Sequence, residues 1–195
     1  MYNRLETINH LRSDLKKFVF FITGASGVGK STLANHLKSI YANRPDIAIF
    51  GFDSIGVPCV EEMSKAYGSP SEWQRAATKQ WIAKILYEVS EPVVILEGQV
   101  NLDFIYEAFE HYNFVQFKVI LIDCSVEEMI RRLIHDRVQP ELANENMRTW
   151  RIFLRKQSEE RRVPVIDTGS MSIEAAVQEL QKIVENEIDW IDAAN

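Results

Sequence analysis

Cysteine is scarce in this sequence, and long apolar runs are missing. The 195 residues include two cysteines, Cys59 and Cys124, which are too few for a disulfide framework and lack the spacing of a zinc site. No stretch approaches the roughly 18 apolar residues of a membrane span, and residues 1–17 lack the apolar core of a signal peptide. The sequence therefore predicts a cytoplasmic protein with reduced thiols and no membrane partner.

An excess of positive charge is also missing. The formal net charge is -6, which argues against a protein that coats nucleic acid or an anionic membrane. The four histidines are scattered without the spacing of a metal site. With 46% hydrophobic residues, the chain can bury one sizeable core, so we expect residues 1–195 to form a single domain.

Five short apolar runs, rich in β-branched and aromatic residues, punctuate the chain. They are nearly continuous rather than alternating, which is typical of strands buried on both faces of a parallel sheet. Helical stretches separate them, and Ser69 and Ser125 each begin a capping box. This alternation predicts an α/β fold with a five-stranded parallel sheet flanked by helices on both faces. The predicted strands are 18–23, 47–52, 92–97, 117–123 and 163–167, and two of the predicted helices are 30–42 and 125–136.

Polar residues follow the predicted strands at the edge where ligands bind. Ligands of open α/β sheets lie outside the carboxyl ends of the strands. We therefore expect four carboxylates and a glycine-rich loop to gather at one edge, although helix capping explains the last two carboxylates equally well. The residues at or just after the strand ends are Gly24, Asp53, Glu97, Asp123 and Asp167.

The loop after the first strand carries the most specific motif. Residues 24–31 read G-A-S-G-V-G-K-S, which fits G-x-x-x-x-G-K-[ST] between a predicted strand and a predicted helix. Such a loop points backbone N–H groups at phosphates, and the helix dipole adds positive potential. Lys30 would reach the β- and γ-phosphates, Ser31 would bind Mg²⁺, and Thr32 would lie near the α-phosphate. The predicted site for ATP consists of Gly24, Ala25, Ser26, Gly27, Val28, Gly29, Lys30, Ser31 and Thr32.

A small kinase fits this motif best. The guanine-reading N-K-x-D sequence of GTPases is absent, and 195 residues are too few for a large oligomeric ATPase. Residues 18–184 resemble the adenylate-kinase-like group of P-loop kinases, which includes shikimate, gluconate and adenylylsulfate kinases and especially chloramphenicol phosphotransferase. The resemblance is carried by the phosphate loop and by F-G-F-D-S-I-G at 50–56, which is similar to a segment carrying the catalytic base in the chloramphenicol enzyme. It implies a P-loop NTPase fold and ATP-dependent phosphorylation of a small-molecule hydroxyl.

Two carboxylates and an amide are the candidates on the acceptor side. Asp53, expected on the strand next to the phosphate loop, would accept or orient the hydroxyl proton of the acceptor. Alternatively, its carboxylate would cap a helix or bind a water molecule of Mg²⁺. Glu97 ends a buried strand, where it would hold Mg²⁺ or contact the acceptor. Gln99 offers both a donor and an acceptor of hydrogen bonds. The sequence leaves open whether Asp53 or Glu97 faces the acceptor.

Arginine is concentrated in one segment. Residues 116–163 contain eight arginines, whereas residues 53–115 contain one arginine and three lysines against ten acidic residues. The resemblance implies a lid at about 125–156, whose guanidinium groups close over the triphosphate, and Arg132 and Arg137 are the best candidates. Arg148, Arg151, Arg161 and Arg162 are expected on a solvated face. A phosphate-bearing acceptor would need arginines in the other half, so we expect a neutral or cationic hydroxyl compound.

Several alternatives stay open at this stage. A nucleoside or nucleotide kinase is a second enzymatic interpretation, and an ATP-binding regulatory module without productive transfer is a non-enzymatic one. Trp73 and Trp81 fit core positions better than pocket walls. Residues 5–15 have one apolar helical face that we expect to pack on the outer helices or to form a dimer contact. The protein is therefore predicted to be a monomer or a homodimer.

Overall fold

A computed structural model describes residues 17–193, and the predicted helix at 5–15 lies outside this range. The strands are β1 (Phe18–Thr23), β2 (Ile47–Gly51), β3 (Val93–Glu97), β4 (Phe117–Asp123) and β5 (Val165–Asp167). The helices are α1 (Lys30–Ile40), α2 (Val60–Tyr67), α3 (Pro70–Tyr87), α4 (Leu102–His111), α5 (Val126–Arg131), α6 (Glu145–Arg161) and α7 (Ile173–Ala193). Two 3-10 turns, Phe52–Ile55 and Pro140–Leu142, and a π-helical turn, Arg132–Asp136, complete the elements.

The predicted five-stranded parallel sheet is confirmed. All strand pairs are parallel, and the order across the sheet is β2-β3-β1-β4-β5. Every residue of the central strand β1 is buried. Its side chains alternate between two cores, so that Phe20 belongs to the core beneath α1 and α7 and Phe21 to the core beneath α3 and α4. Burial on both faces explains why the strand sequences are apolar without alternation.

Helix starts were predicted better than helix ends. The Ser69 hydroxyl accepts a hydrogen bond from the Glu72 amide at 3.1 Å, and the Ser125 hydroxyl accepts one from the Glu128 amide at 3.1 Å. The helix predicted over 30–42 ends at Ile40, and the one predicted over 125–136 changes to a π-helical turn after Arg131. The alternation predicts a helix between the third and fourth strands without giving its bounds, and α4 lies there; α2 is an additional helix before the cap at Ser69. Caps are local in sequence, whereas helix ends depend on what the chain packs against.

The expectation that Asp53 follows the strand next to the phosphate loop is wrong. β3 lies between β1 and β2 and pairs with both, with Ile22 opposite Glu97 and Gly51 also opposite Glu97. The crossover from β1 to β2 skips one position, since consecutive strands need not be neighbours in a parallel sheet. Glu97, not Asp53, therefore lies at the end of a strand that pairs with β1, the strand that leads into the phosphate loop.

Two of the four carboxylates expected at the ligand-binding edge have structural roles. Asp123 is buried and accepts hydrogen bonds from Arg151 Nε at 2.8 Å and Arg151 Nη2 at 2.7 Å. Arg151 is therefore not on a solvated face as expected, because this bidentate pair ties α6 to β4. The Asp167 carboxylate accepts a hydrogen bond from the Gly169 amide at 2.9 Å, which closes the turn after β5. Only Asp53 and Glu97 remain as candidates for chemistry.

Candidate active site

The phosphate loop has a backbone that side chains would obstruct. Gly24 has φ +153°, and a Cβ there would lie 2.3 Å from the Ile122 carbonyl oxygen. Gly29 has a left-handed conformation with φ +99° and immediately precedes α1. Because glycine has no side chain to cap the helix, the first N–H groups of α1 are left for an anionic ligand.

Lys30 is a buried cation at the start of α1. Its side chain donates a hydrogen bond to the Ala25 carbonyl at 2.7 Å, and the residue is 8% exposed. Burial lowers the pKa of Lys30 to about 8; the charge of Arg137 adds to this effect, whereas Glu97 and Asp53 oppose it. Since a buried charge is costly without a counter-charge, the position favours an anionic ligand.

Two hydroxyls of the phosphate loop contact the residues that follow β3. The Ser31 hydroxyl donates to Glu97 Oε1 at 3.4 Å, and the Ser26 hydroxyl donates to Gln99 Oε1 at 2.8 Å. Burial raises the pKa of Glu97, which Lys30 and Ser31 partly offset. A serine hydroxyl beside a carboxylate is a ligand pair suited to Mg²⁺, whose other ligands are commonly phosphate oxygens and water. Within residues 17–193, no cluster of three or more His, Cys, Asp or Glu side chains could hold a metal by itself.

Two clefts share Lys30 in their lining. The first, which we call the nucleotide cleft, has a volume of about 450 Å³ and lies between the phosphate loop, α5, the π-helical turn and the start of α7. The second, which we call the acceptor cleft, has a volume of about 310 Å³ and is lined by Asp53, Glu97 and Gln99 among others. Lys30, Ser31 and Arg137 line both clefts. The two clefts therefore meet at the end of the phosphate loop.

The candidate lid arginines have different surroundings. Arg132 donates from Nη1 to the Thr168 hydroxyl at 2.9 Å, from Nη2 to the Thr168 carbonyl at 2.8 Å and from Nε to Glu128 at 2.7 Å. The Thr168 hydroxyl in turn donates to the Val28 carbonyl at 2.7 Å. Arg132 thus connects the π-helical turn, within the predicted lid, to the loop after β5, whereas Arg137 follows that turn and lines both clefts. Sequence reasoning missed Thr168, because its one signal is a position just after the fifth strand.

The remaining predicted residues divide between the clefts and the core. Thr32 lines the nucleotide cleft. Asp53 is exposed at the 3-10 turn after β2 and lines the acceptor cleft together with Lys30. Trp73 and Trp81 are buried in the core beneath α3, as predicted, and line neither cleft. No helix among residues 17–193 combines the length and apolar character needed to cross a bilayer.

Solved structures of small-molecule kinases share this architecture. A shikimate kinase from Acinetobacter baumannii in complex with shikimate has a TM-score of 0.57 at 17% identity, covering 90% of this chain and 98% of that chain. A gluconokinase from Sinorhizobium meliloti 1021 has a TM-score of 0.58 at 17% identity, covering 88% and 95%. A deoxyadenosine kinase from M. mycoides has a TM-score of 0.56 at 14% identity, covering 87% and 100%. Similarity at these identities demonstrates a common fold, the P-loop NTPase fold that the sequence predicts.

The sequence itself matches one known family. None of the curated proteins matches this chain, and the closer likeness to chloramphenicol phosphotransferase stays a prediction. The sequence profile of the AAA domain family matches residues 21–153. This segment is more than half of the chain; it begins within β1, includes the phosphate loop and every residue that lines the acceptor cleft, and ends within α6. The chain therefore belongs to the AAA domain family.

Proposed function

We propose that this protein is an ATP-dependent phosphotransferase that moves the γ-phosphate to a hydroxyl of a small molecule. The observation that carries the proposal is the meeting of two clefts at Lys30, Ser31 and Arg137. A nucleotide in one cleft and an acceptor in the other would bring the γ-phosphate and the hydroxyl together there. Phosphoryl transfer depends mainly on such positioning and on electrostatic stabilisation.

The residues of the nucleotide cleft would bind the triphosphate. The amides of 24–32 bind its phosphate oxygens, and Lys30 contacts the β- and γ-phosphates. Ser31 and Glu97 are the side chains that would hold Mg²⁺, which neutralises charge on the phosphates when bound. Arg132 binds ATP from the lid side of the cleft.

Asp53 is the group that we assign to the acceptor. Its carboxylate accepts no hydrogen bond from the other described residues, whereas Glu97 already accepts one from Ser31. Asp53 accepts the hydroxyl proton while the acceptor oxygen forms a bond to the γ-phosphorus. The bond from that phosphorus to the β–γ bridging oxygen breaks, ADP leaves, and Arg137 offsets the charge that develops.

The charges of the acceptor cleft support a neutral or cationic acceptor. Its cations, Lys30 and Arg137, are both shared with the nucleotide cleft, and its other charged groups are Asp53 and Glu97. A nucleoside monophosphate would bring a second phosphate without an arginine of its own to bind it. Micromolar affinity for AMP, CMP or UMP as acceptors would contradict this assignment.

A coupled ADP-release assay with pools of candidate acceptors tests the proposal. Pools of alcohols, sugars, nucleosides and aminoglycosides should include one that stimulates turnover well above the hydrolysis seen without acceptor. Slow hydrolysis that no pool changes would instead support an ATP-binding regulatory module. Stimulation by the nucleoside pool alone would support a nucleoside kinase.

Replacing Asp53 by Asn tests the assignment of the base. We expect turnover to fall by about 10²-fold or more, the usual contribution of general-base catalysis, with the Kd for MgATP unchanged in titration calorimetry. Glu61→Gln, an exposed carboxylate on α2, is the control and should keep normal turnover. If Asp53→Asn retained turnover within about tenfold, or ~1.4 kcal/mol of barrier, the assignment would be wrong.

A further inference from the structure

Helix α3 contacts both of the loops that line the acceptor cleft, although it lines neither cleft itself. Trp81 is fully buried, and its indole N–H donates a hydrogen bond to the Phe52 carbonyl at 2.8 Å. Phe52 is the residue immediately before Asp53, so this bond fixes the backbone from which the Asp53 side chain projects.

A second side chain of α3 holds the loop after β3. The Gln74 amide donates from Nε2 to the Gln99 carbonyl at 3.0 Å, and its Oε1 accepts a hydrogen bond from the Asn101 amide at 3.1 Å. Gln74 and Trp81 are seven residues apart, which is about two helical turns and ~10 Å along one face. One rigid helix therefore binds the backbone of both acceptor loops.

The two loops also fit closely against each other. A Cβ at Gly98 would lie 2.3 Å from Phe52 Cβ, so only glycine lets the loop after β3 lie against the 3-10 turn. The Phe52 ring is buried and meets Trp73 of α3 edge to face, with 6.4 Å between ring centroids. Displacing either loop would therefore disturb the other.

We propose that Gln74 and Trp81 are positioning residues for phosphoryl transfer, which fix Asp53 and Gln99 relative to the phosphate loop. This inference rests on the proposed function. It assigns to α3 an effect on the transfer step that is separate from nucleotide binding, since neither residue contacts the nucleotide cleft. A misplacement of about 1 Å at a reacting group can cost on the order of 10²-fold in rate.

Substitutions that keep shape and remove hydrogen bonds test the proposal. Gln74→Met and Trp81→Phe should each lower acceptor-stimulated kcat by about 10- to 100-fold, while the Kd for MgATP stays within about twofold. Thr78→Val is the matched control on the same helix. Thr78 is buried and donates to the Gln74 carbonyl inside α3 at 2.7 Å, so its loss should alter kcat by no more than about twofold.

Amide hydrogen exchange supplies a readout that does not depend on activity. The Asn101 amide should exchange faster in Gln74→Met, and the amides of 51–56 should exchange faster in Trp81→Phe. All of them should exchange at the wild-type rate in Thr78→Val.

The outcomes separate the positioning role from the proposed function. If the wild-type protein phosphorylates an acceptor but both variants match Thr78→Val in kcat, the positioning role is overturned while the proposed function stands. A parallel loss of MgATP affinity would also overturn it, because the effect would then be general. If no acceptor is phosphorylated by the wild type, the proposed function fails, and unchanged exchange would remove the loop-positioning role as well.

Discussion

The nucleotide cleft and the acceptor cleft are built in different ways. The phosphate-binding part of the first is one continuous segment, residues 24–32, whose conformation follows from its glycines and from the start of α1. Apart from Arg137 and the phosphate-loop residues at its base, the second draws its groups from two separate segments, at 51–53 and 97–99, and α3 hydrogen-bonds to the backbone of both. A site made from one segment can be recognised as a motif. A site made from several segments exists only when the chain has folded.

The nucleotide cleft has more cationic side chains than the acceptor cleft, as expected if the first binds a polyphosphate and the second a neutral or cationic compound. The nucleotide cleft has three arginines, Arg131, Arg132 and Arg137, in addition to Lys30. Arg131 forms ion pairs with two carboxylates: its Nε lies 2.8 Å from Glu128 Oε2, and its Nη2 lies 3.1 Å from Asp136 Oδ2. The acceptor cleft adds the carboxylates Asp53 and Glu97 to the shared Lys30 and Arg137. These charges agree with the polyphosphate proposed for one side and with the neutral or cationic compound proposed for the other.

The largest expected effect comes from Lys30, which belongs to both clefts. Lys30→Met should lower turnover on the order of 10²–10³-fold, since it removes a charge that stabilises the transition state. The melting temperature of the nucleotide-free Lys30→Met variant should not fall below that of the wild type, because burying the lysine ammonium group costs free energy on folding. Lys38→Met, at the exposed end of α1, is the control and should retain turnover. Equal losses in the two variants would contradict the role of Lys30.

A matched pair of glycine substitutions separates the two clefts directly. Gly98→Ala places a methyl group against Phe52, and Gly24→Ala places one against the Ile122 carbonyl, each at 2.3 Å. We expect Gly98→Ala to displace the loop after β3 and the 3-10 turn after β2, and so to lower kcat/KM for the acceptor about tenfold or more. The affinity for MgATP should be retained. Gly24→Ala should weaken MgATP binding itself. Calorimetry with MgATP and steady-state kinetics distinguish the two, and identical patterns would show that the clefts are not separable.

The smallest expected effect is a pH dependence of nucleotide binding. Lys30 has a pKa lowered by burial to about 8, and bound triphosphate should raise it again. Binding of MgATP should therefore take up close to one proton at pH 9 and almost none at pH 6.5, so that affinity falls as pH rises above 8. Calorimetry in buffers of different ionisation enthalpy measures this uptake. Lys30→Arg stays charged and should abolish it, and a wild-type protein without uptake at pH 9 would contradict the lowered pKa.

The lowered pKa of Lys30 makes the folded state more stable as pH rises, whereas it makes MgATP binding weaker. Between about pH 8 and the usual lysine value of 10.5, the unfolded chain binds more protons at this site than the folded chain. The contribution of Lys30 therefore makes the free energy of unfolding rise with pH over this window. Denaturant unfolding of the wild type and of Lys30→Met at pH 7 and 9.5 isolates that contribution, which should be absent from the variant.

Features that depend on short stretches of chain could be predicted from the sequence. The strand positions, the caps at Ser69 and Ser125 and the phosphate loop all reflect local preferences of a few residues. The parallel sheet followed from five doubly buried strands separated by helices. Thr168 and Gln74 could not be found in this way, because each acts through a hydrogen bond to the backbone of a distant segment. The same holds for the Arg151–Asp123 pair, whose partners are 28 residues apart.

The amino-acid sequence by itself determined a phosphate-binding loop at the start of α1 and a sheet that is apolar on both faces, because both follow from residue types at short spacing. Only the tertiary structure decided that β3 lies between β1 and β2, so that Glu97 meets Ser31 and Asp53 follows a strand one position farther from the phosphate loop. It also decided that Asp123 and Asp167 are structural and that Asp53 and Glu97 line a cleft. Strand order and ion pairing are decided by packing among distant segments, and no local preference encodes them.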